Sequence, residues 1–132
     1  MNHSIDLYEV LYVSTLAPDQ PLQVVAEIAA VARHANAQLE ITGLLIFDGQ
    51  RFCQQLEGPQ IPVLKLMERI RNDARHMNVE VLHHGPLPAR RFQQFSLAFS
   101  TVEDEDALPR MEQLDGAAAL DAFEAMRKEL VL

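Results

Sequence analysis

The sequence predicts an α+β domain, a ferredoxin-like sheet with two helices on one face, followed by a C-terminal helical extension. Two observations support this prediction. Strand-length apolar runs and amphipathic helical segments alternate over the first 100 residues in the order βαββαββ. A hairpin-type turn separates the second and third strands, which favours antiparallel pairing. Together they indicate a mainly antiparallel sheet that both helices cover from one side.

The first strand and the first helix come at the start of the chain. Residues 7–14 are predicted to form a strand, and the turn-rich stretch 17–21 follows it. Residues ~21–36 form the first helix, because apolar residues recur there at helical spacing. Its buried stripe consists of Leu22, Val25, Ile28, Ala29 and Ala32.

A β-hairpin and a second helix come next. Residues 40–47 are an apolar run of strand length, Asp48-Gly49 is a tight hairpin signal, and residues 52–58 form the third strand. Pro62 lies near the expected start of the second helix, where its missing N–H is harmless. The buried stripe of that helix consists of Val63, Leu66, Met67 and Ile70.

Two further strands and a terminal helix follow. Residues 79–82 and 92–99 are predicted to form the fourth and fifth strands. Residues ~115–131 form an amphipathic helix that either covers the free face of the sheet or meets a partner protein, and packing on its own domain is the favoured alternative. The apolar stripe of this helix consists of Leu114, Leu120, Phe123, Met126 and Leu130.

The charge of the chain changes near Ser100. Residues 1–100 contain 10 acidic and 8 basic residues, whereas residues 101–132 contain 9 acidic and 3 basic residues. This shift predicts a domain over residues 1–100 and an acidic helical extension over residues 101–132. The formal net charge of −8 argues against general nucleic-acid binding, which needs a basic surface.

Several function classes lack their sequence signals. No apolar run approaches the ~20 residues that span a bilayer, and no secretory signal is present, so a cytoplasmic, soluble protein is expected. Cys53 is the single cysteine, and the adjacent His83 and His84 have no zinc-type spacing, so no disulfide or metal site is expected. No phosphate-binding loop or nucleophile turn occurs. No enzymatic activity is expected, and Asn36 and the arginines are the only support for a small hydrolase.

Gln54 is informative because it lies on an apolar face of its strand. Period-2 alternation places Phe52, Gln54 and Leu56 on one face. An unpaired buried amide costs about 1–3 kcal/mol, so Gln54 needs a polar partner. Tyr12 comes within reach if the first and third strands are neighbours, as in a ferredoxin-like sheet. The alternative is an edge tyrosine whose hydroxyl reaches water beside a glutamine at the rim of the sheet.

Other polar residues have ordinary structural explanations. Asn36 ends the first predicted helix, where Asn is a common cap residue. Asp73, Arg75 and His76 follow the second helix, and positive side chains near a helix C-terminus interact favourably with its dipole. From residue types alone, these explanations are favoured over ligand binding.

Seven segments resemble one known family in their order and spacing. They are residues 7–14, 36–37, 41–45, 52–58, 69–70, 73–76 and 90–92. Through them the chain from Leu7 to about Phe99 resembles the BLUF domain, a small blue-light sensor that binds FAD non-covalently. The resemblance implies a short single-domain photoreceptor with FAD as its chromophore.

The resemblance also implies roles for individual residues. Tyr12 would be the photochemical electron and proton donor, and Gln54 would be the switch between it and the N5/O4 edge of the flavin. Asn36 would hold the polar edge of the ring, which would lie between the two helices against Ile28 and Ile70. The groups that would position the ring edge, the ribityl chain and the phosphates are Arg69, Asp73, Arg75 and His76.

The chain departs from the family pattern where the signal would leave the site. Phe95 and Leu97 stand where the family usually has Trp and Met, at the expected relay into the sheet. Ala35 replaces a polar residue often found before Asn36. The resemblance implies signalling through altered contacts with an unidentified downstream protein, within a homo-oligomer and without an enzymatic output domain. The alternative is a degenerate BLUF fold that serves as a light-independent protein-interaction module.

Overall fold

The structure of the protein is a computed structural model that describes residues 6–99 and 107–129, with backbone only at residues 96–99 and 129. It contains five strands and four helices in these ranges. They are β1 Leu7–Leu16, α1 Gln23–Gln38, β2 Thr42–Phe47, β3 Arg51–Pro59, α2 Gln60–Arg71, β4 His76–Pro86, β5 Phe95–Phe99, α3 Ala107–Met111 and α4 Gly116–Glu129. The predicted α+β class, the βαββαββ order and the C-terminal helix are confirmed.

The sheet has the strand order β4-β1-β3-β2-β5. β1 pairs antiparallel with β3 and β4, β2 pairs antiparallel with β3, and β5 joins β2 in parallel. β1 and β3 therefore lie side by side in the interior of the sheet. This is the arrangement that the ferredoxin-like prediction requires for Tyr12 and Gln54.

Among the elements, β4 and β5 have the bounds that differ most from the sequence prediction. β4 is longer than residues 79–82, because it follows β1 from Leu16 to Tyr8 through two register shifts. It is an edge strand with many exposed positions, so apolar alternation marks only its middle. β5 begins at Phe95 rather than Phe92, because Oε1 of Glu57 accepts the backbone N–H groups of Arg91 and Phe92 at 2.8 and 2.7 Å.

Both faces of the sheet are covered. One core lies between the sheet and helices α1 and α2, which contribute Val25 and Val63 among others. The second core lies on the opposite face, where α3 and α4 contribute Leu108 and Phe123. The terminal helix thus packs on its own sheet, as the favoured alternative predicted. The proposed division near Ser100 stays a prediction.

The short helix α3 has no counterpart in the sequence prediction. Its five residues, Ala107–Met111, are too few to show helical periodicity, and they include Pro109. Leu108 and Met111 are nevertheless 1% and 2% exposed. α3 therefore adds apolar cover to the second core that sequence periodicity could not reveal.

Candidate functional site

Tyr12 and Gln54 face each other across the two central strands. They are directly opposite in the antiparallel register of β1 and β3, which places their side chains on one face. The Tyr12 hydroxyl donates a hydrogen bond to Oε1 of Gln54. Only 1% of Tyr12 and 4% of Gln54 is exposed. The pair lies in the core, so the alternative of an edge tyrosine bonded to water is wrong.

Burial also controls the protonation of the Tyr12 phenol. Removal from water raises the pKa of Tyr12, and Cys53 and the carboxylate of Asp73 raise it further. Burial likewise raises the pKa of the Cys53 thiol. Both groups stay protonated at neutral pH. Tyr12 therefore enters any reaction as a neutral phenol whose proton lies in the bond to Gln54.

A cavity of about 240 Å³ opens between α1 and α2 beside this pair. The residues that the resemblance assigns to flavin binding all contribute to its wall: Tyr12, Ile28, Asn36, Gln54, Arg69, Ile70, Asp73, Arg75 and His76. They come from β1, α1, β3, α2, the turn after α2 and the start of β4. Only the folded chain brings these separated residues to one place.

Asn36 is the most unusual polar group in this wall. It is 1% exposed, and neither Oδ1 nor Nδ2 of its side chain has a hydrogen-bond partner among the described residues. α1 continues to Gln38 and its C-cap is Leu39, so the expected role of Asn36 as a helix cap is wrong. A buried amide without partners is destabilising, and a ligand with both donors and acceptors would satisfy it.

Asp73 and Arg75 form an ion pair at the rim of the cavity. The Arg75 side chain donates from Nε to Oδ1 of Asp73 at 3.0 Å and from Nη2 to Oδ2 at 2.6 Å. The Arg75 backbone N–H also donates to Oδ1. These contacts lower the pKa of Asp73, chiefly through the side-chain hydrogen bond. The rim therefore carries a fixed carboxylate and guanidinium at neutral pH.

His76 is held beside the cavity by two contacts that the sequence did not indicate. Its Nδ1 lies 3.0 Å from Oγ of Ser14, and its ring centroid lies 4.7 Å from that of Phe52. Burial lowers the pKa of His76, although the nearby Asp73 opposes this effect. His76 therefore favours its neutral form, in which one ring nitrogen donates and the other accepts.

Several cavity residues were not predicted as part of the site. Val31, Ala32, Ala35, Leu45 and Leu66 also line the wall. The helical spacing of Ile28, Ala32 and Ala35 was available as a signal, because residues three and four apart share a helix face. Their apolar character indicated core packing equally well. The methyl group of Ala35 offers no hydrogen bond to a ligand.

The expected relay positions lie on β5, beside β2. Phe95 is 5% exposed and belongs to the core under α1 and α2. The backbone of Leu97 pairs in register with Leu45, which itself pairs with Gln54 and lines the cavity. The side chain of Leu97 lies outside the described residues. The role of both residues in signal relay stays a prediction.

The donor set of the cavity fits a flavin ring. Ile28 and Ile70 supply apolar surface, while Asn36 and Gln54 supply amide groups. An isoalloxazine ring has broad apolar faces and an edge with both donors and acceptors, which would satisfy the unpaired amide of Asn36. The volume is below the roughly 300–1,000 Å³ of typical ligand pockets. A cavity of this size suits a ring system rather than a whole dinucleotide.

Two other features are absent from the part of the chain that the structure describes. None of its helices is long and apolar enough to cross a membrane. No cluster of three or more His, Cys, Asp and Glu side chains is placed to hold a metal ion.

Comparison with known proteins finds relatives whose names describe light-regulated proteins. The chain is 37% identical over 86 residues to the blue light- and temperature-regulated antirepressor BluF of Escherichia coli (strain K12), covering 65% of this chain and 21% of that protein. It is 34% identical over 92 residues to the photoactivated adenylate cyclase subunit beta of Euglena longa, covering 67% and 11%. The chain therefore spans only a minor part of these curated relatives.

Solved structures match over nearly the whole chain. The dark-state structure of BlrB, a BLUF protein, has 29% identity and a TM-score of 0.74, covering 93% of this chain and 94% of that one. The ground state of BlsA has 25% identity and a TM-score of 0.77, covering 96% and 91%. The family profile described as sensors of blue light using FAD matches residues 7–98. Because this match covers most of the chain and includes every residue of the cavity wall, the chain belongs to the BLUF family of flavin-using blue-light sensors.

Proposed function

We propose that this chain is a blue-light photoreceptor that binds FAD non-covalently and signals through a light-driven rearrangement of the Tyr12, Gln54 and flavin hydrogen bonds. The buried hydrogen bond from Tyr12 to Gln54 at the cavity wall carries this proposal. An amide has a donor end and an acceptor end, so its orientation can store one of two bonding patterns. Because the pair is buried, water does not compete for either pattern.

The family description supports FAD as the chromophore. Arg69 makes no hydrogen bond or ion pair with the described residues, so its guanidinium is available for a phosphate. A similar protein, BlrP1, has a structure with FMN. Chromatography of the flavin released by denaturing the purified protein distinguishes the two cofactors. FMN as the sole released flavin would contradict the assignment of FAD.

The residues of this chain can perform the primary reaction. A bound flavin absorbs blue light and is a strong oxidant in its excited state. Tyr12 would supply an electron to the excited flavin, and its proton would move along the hydrogen bond to Oε1 of Gln54. When both return, Tyr12 is again a neutral phenol, since burial disfavours its charged form. Gln54 would meanwhile rotate or tautomerise, and either change alters whether the group that faces Tyr12 donates or accepts.

The decisive experiment compares absorption spectra in the dark and under blue light. The wild-type protein should show a flavin spectrum that shifts modestly and reversibly to the red, because a new hydrogen bond to the flavin carbonyl lowers its excited state more than its ground state. The Gln54→Leu variant should bind flavin and lose the shift, since leucine neither donates nor accepts. Gln23→Leu, at an exposed position of α1, is the matched control and should retain the shift.

Two outcomes would contradict this proposal. A bound flavin without a reversible shift in the wild type would remove the photosensor function. A normal shift in Gln54→Leu would remove Gln54 as the switch. A folded, colourless protein that still binds a partner would instead support a light-independent interaction module.

We propose that the output is a change in contacts with another protein rather than catalysis by this chain. The names of the relatives support coupling to an effector, because one is an antirepressor and another is a cyclase subunit. We expect the chain to form a homo-oligomer that makes these contacts with the other protein. Light scattering after size exclusion, in the dark and under light, measures the mass, and a monomer in both states would contradict the homo-oligomer.

A further inference from the structure

A second buried polar pair lies on the opposite face of the same two strands. Gln55 follows Gln54 in β3, so its side chain points away from the cavity. Its Nε2 donates to Oε1 of Glu9 in β1 at 2.6 Å. Gln55 and Glu9 are 1% and 3% exposed. Each face of the two central strands thus carries a hydrogen-bonded polar pair, and the two pairs share the β3 backbone.

The carboxylate of Glu9 also binds the segment that precedes β5. The guanidinium of Arg91 donates to Oε1 of Glu9, and Nε2 of His83 lies 3.3 Å from Oε2. Two residues after Gln55, Oε1 of Glu57 accepts the backbone N–H groups of Arg91 and Phe92. Two buried carboxylates of the central strands therefore hold the position of residues 91–92.

Residues 91–92 in turn contact the terminal helix. The Phe92 ring packs against the second core, and the guanidinium carbon of Arg127 in α4 lies 5.6 Å from the ring centroid. The pKa of Glu124 in α4 is lowered chiefly by its hydrogen bond from Arg127, with a smaller contribution from the charge of Arg91. Arg91 therefore lies close enough to α4 for its charge to affect that helix.

We infer that Glu9 is a positioning residue that couples the Tyr12–Gln54 switch to α4, through Gln55 on β3 and through Arg91 and Phe92 before β5. The inference rests on the proposed photoreceptor function. A new bonding pattern at Gln54 moves β3 relative to β1, and Gln55 shares that backbone. The bond between Gln55 and Glu9 is buried, so a change in its length alters the bond that Glu9 makes to Arg91.

This relay differs from the one expected on β5. Phe95 and Leu97 lie in the strand beside β2, whereas Glu9, Gln55 and Arg91 act on the other face, where α4 packs. A signal on this face reaches α4 without passing through Leu97, which stands where the family usually has methionine.

The test measures hydrogen–deuterium exchange of the α4 amides by mass spectrometry, in the dark and under blue light, together with the flavin spectrum of the same sample. In the wild type, α4 exchange should differ between the two states. Glu9→Gln removes the charge that holds Arg91 and nearly preserves side-chain size. It should keep the red shift and lose at least about four-fifths of the light–dark difference in α4.

Variants of Arg91 test the same contact from the exposed side, where misfolding is not expected. Arg91→Gln should reproduce the effect of Glu9→Gln, and Arg91→Lys, which keeps the charge, should retain most of the light–dark difference. Arg51→Gln is the matched control, because it removes another ion pair of β3, to Glu112 at 3.0 Å, that does not involve Glu9.

Each outcome decides between the two proposals. A wild type without a red shift overturns the photoreceptor function and the relay with it. A wild type with a red shift and no change in α4 overturns the relay alone, as does an undiminished α4 change in Glu9→Gln. An equal loss in Arg51→Gln also overturns the relay, because the loss of any ion pair between β3 and the C-terminal segment would then suffice.

Discussion

A single residue, Asn36, distinguishes this cavity from an ordinary gap between helices. Its amide is buried and neither polar atom has a partner among the described residues. In a ligand-free protein such a group lowers stability by about 1–3 kcal/mol. We propose that Asn36 gains its hydrogen bonds when a polar ligand is bound, which would link flavin binding to stability.

Substitution of Asn36 should separate ligand binding from stability. Asn36→Leu replaces the amide with an apolar group of similar size, so the flavin-free protein should be as stable as the wild type or more stable in urea. Flavin affinity should fall roughly tenfold or more, because hydrogen bonds worth about 1.4 kcal/mol or more are lost. Fluorescence titration of the stripped protein with FAD measures this affinity.

The control for this prediction is Asn72→Leu, at an exposed position that follows α2 and does not line the cavity. Its flavin affinity should match that of the wild type. An unchanged affinity in Asn36→Leu would mean that Asn36 does not bond the flavin.

At the level of elements, the strands were predicted well because their apolar patterns are local. The hairpin of β2 and β3 and the interior position of β1 and β3 followed from these patterns and the expected topology. The ends of β4 and β5 did not, because bonds to Glu57 and an irregular register decide them. α3 was missed because five residues carry no period.

The close approach of β2 to β3 depends on Gly43. A Cβ atom added there would lie 1.9 Å from the carbonyl oxygen of Gln55, and the φ angle of +154° already disfavours other residues. Gly43→Ala should therefore separate the strands and lower the free energy of unfolding by about 1–3 kcal/mol. Urea denaturation followed by circular dichroism measures this loss.

Gly85→Ala is the matched control, because a Cβ atom at this position in β4 meets only a side-chain atom of His83 at 3.9 Å. Its stability should change little. If the Gly43→Ala variant were as stable as the wild type, β3 could move away from β2 without a loss in the free energy of unfolding.

At the level of the whole molecule, the sheet is the middle layer of three. α1 and α2 cover the face with the cavity, and α3 and α4 cover the opposite face. Cys53 lies in this second core with 0% exposure, and Phe123 of α4 belongs to the same cluster. The single thiol therefore reports whether α4 is docked, since reagents reach it only after local opening.

Loss of the Phe123 ring should expose this thiol. Phe123→Ala should lower stability by about 3–5 kcal/mol, as for other large-to-small core substitutions. The rate at which Cys53 reacts with a thiol reagent under native conditions should rise roughly tenfold or more, because the opened state becomes more populated. Asp121→Ala, at an exposed position of α4, should react like the wild type. An unchanged rate in Phe123→Ala would mean that α4 does not protect Cys53.

The sequence by itself determined the order of the elements and the need for a polar partner at Gln54, because periods of 2 and 3.6 residues are local properties. The tertiary structure decided which partner Gln54 meets, since Tyr12 is 42 positions away and faces it only through strand order and register. It also decided that Gln55 and Glu57 are buried. Their strand pattern carries no information about the segments that cover the second face of the sheet, because those segments are residues 91–92 and helices that begin at least 50 positions further along the chain.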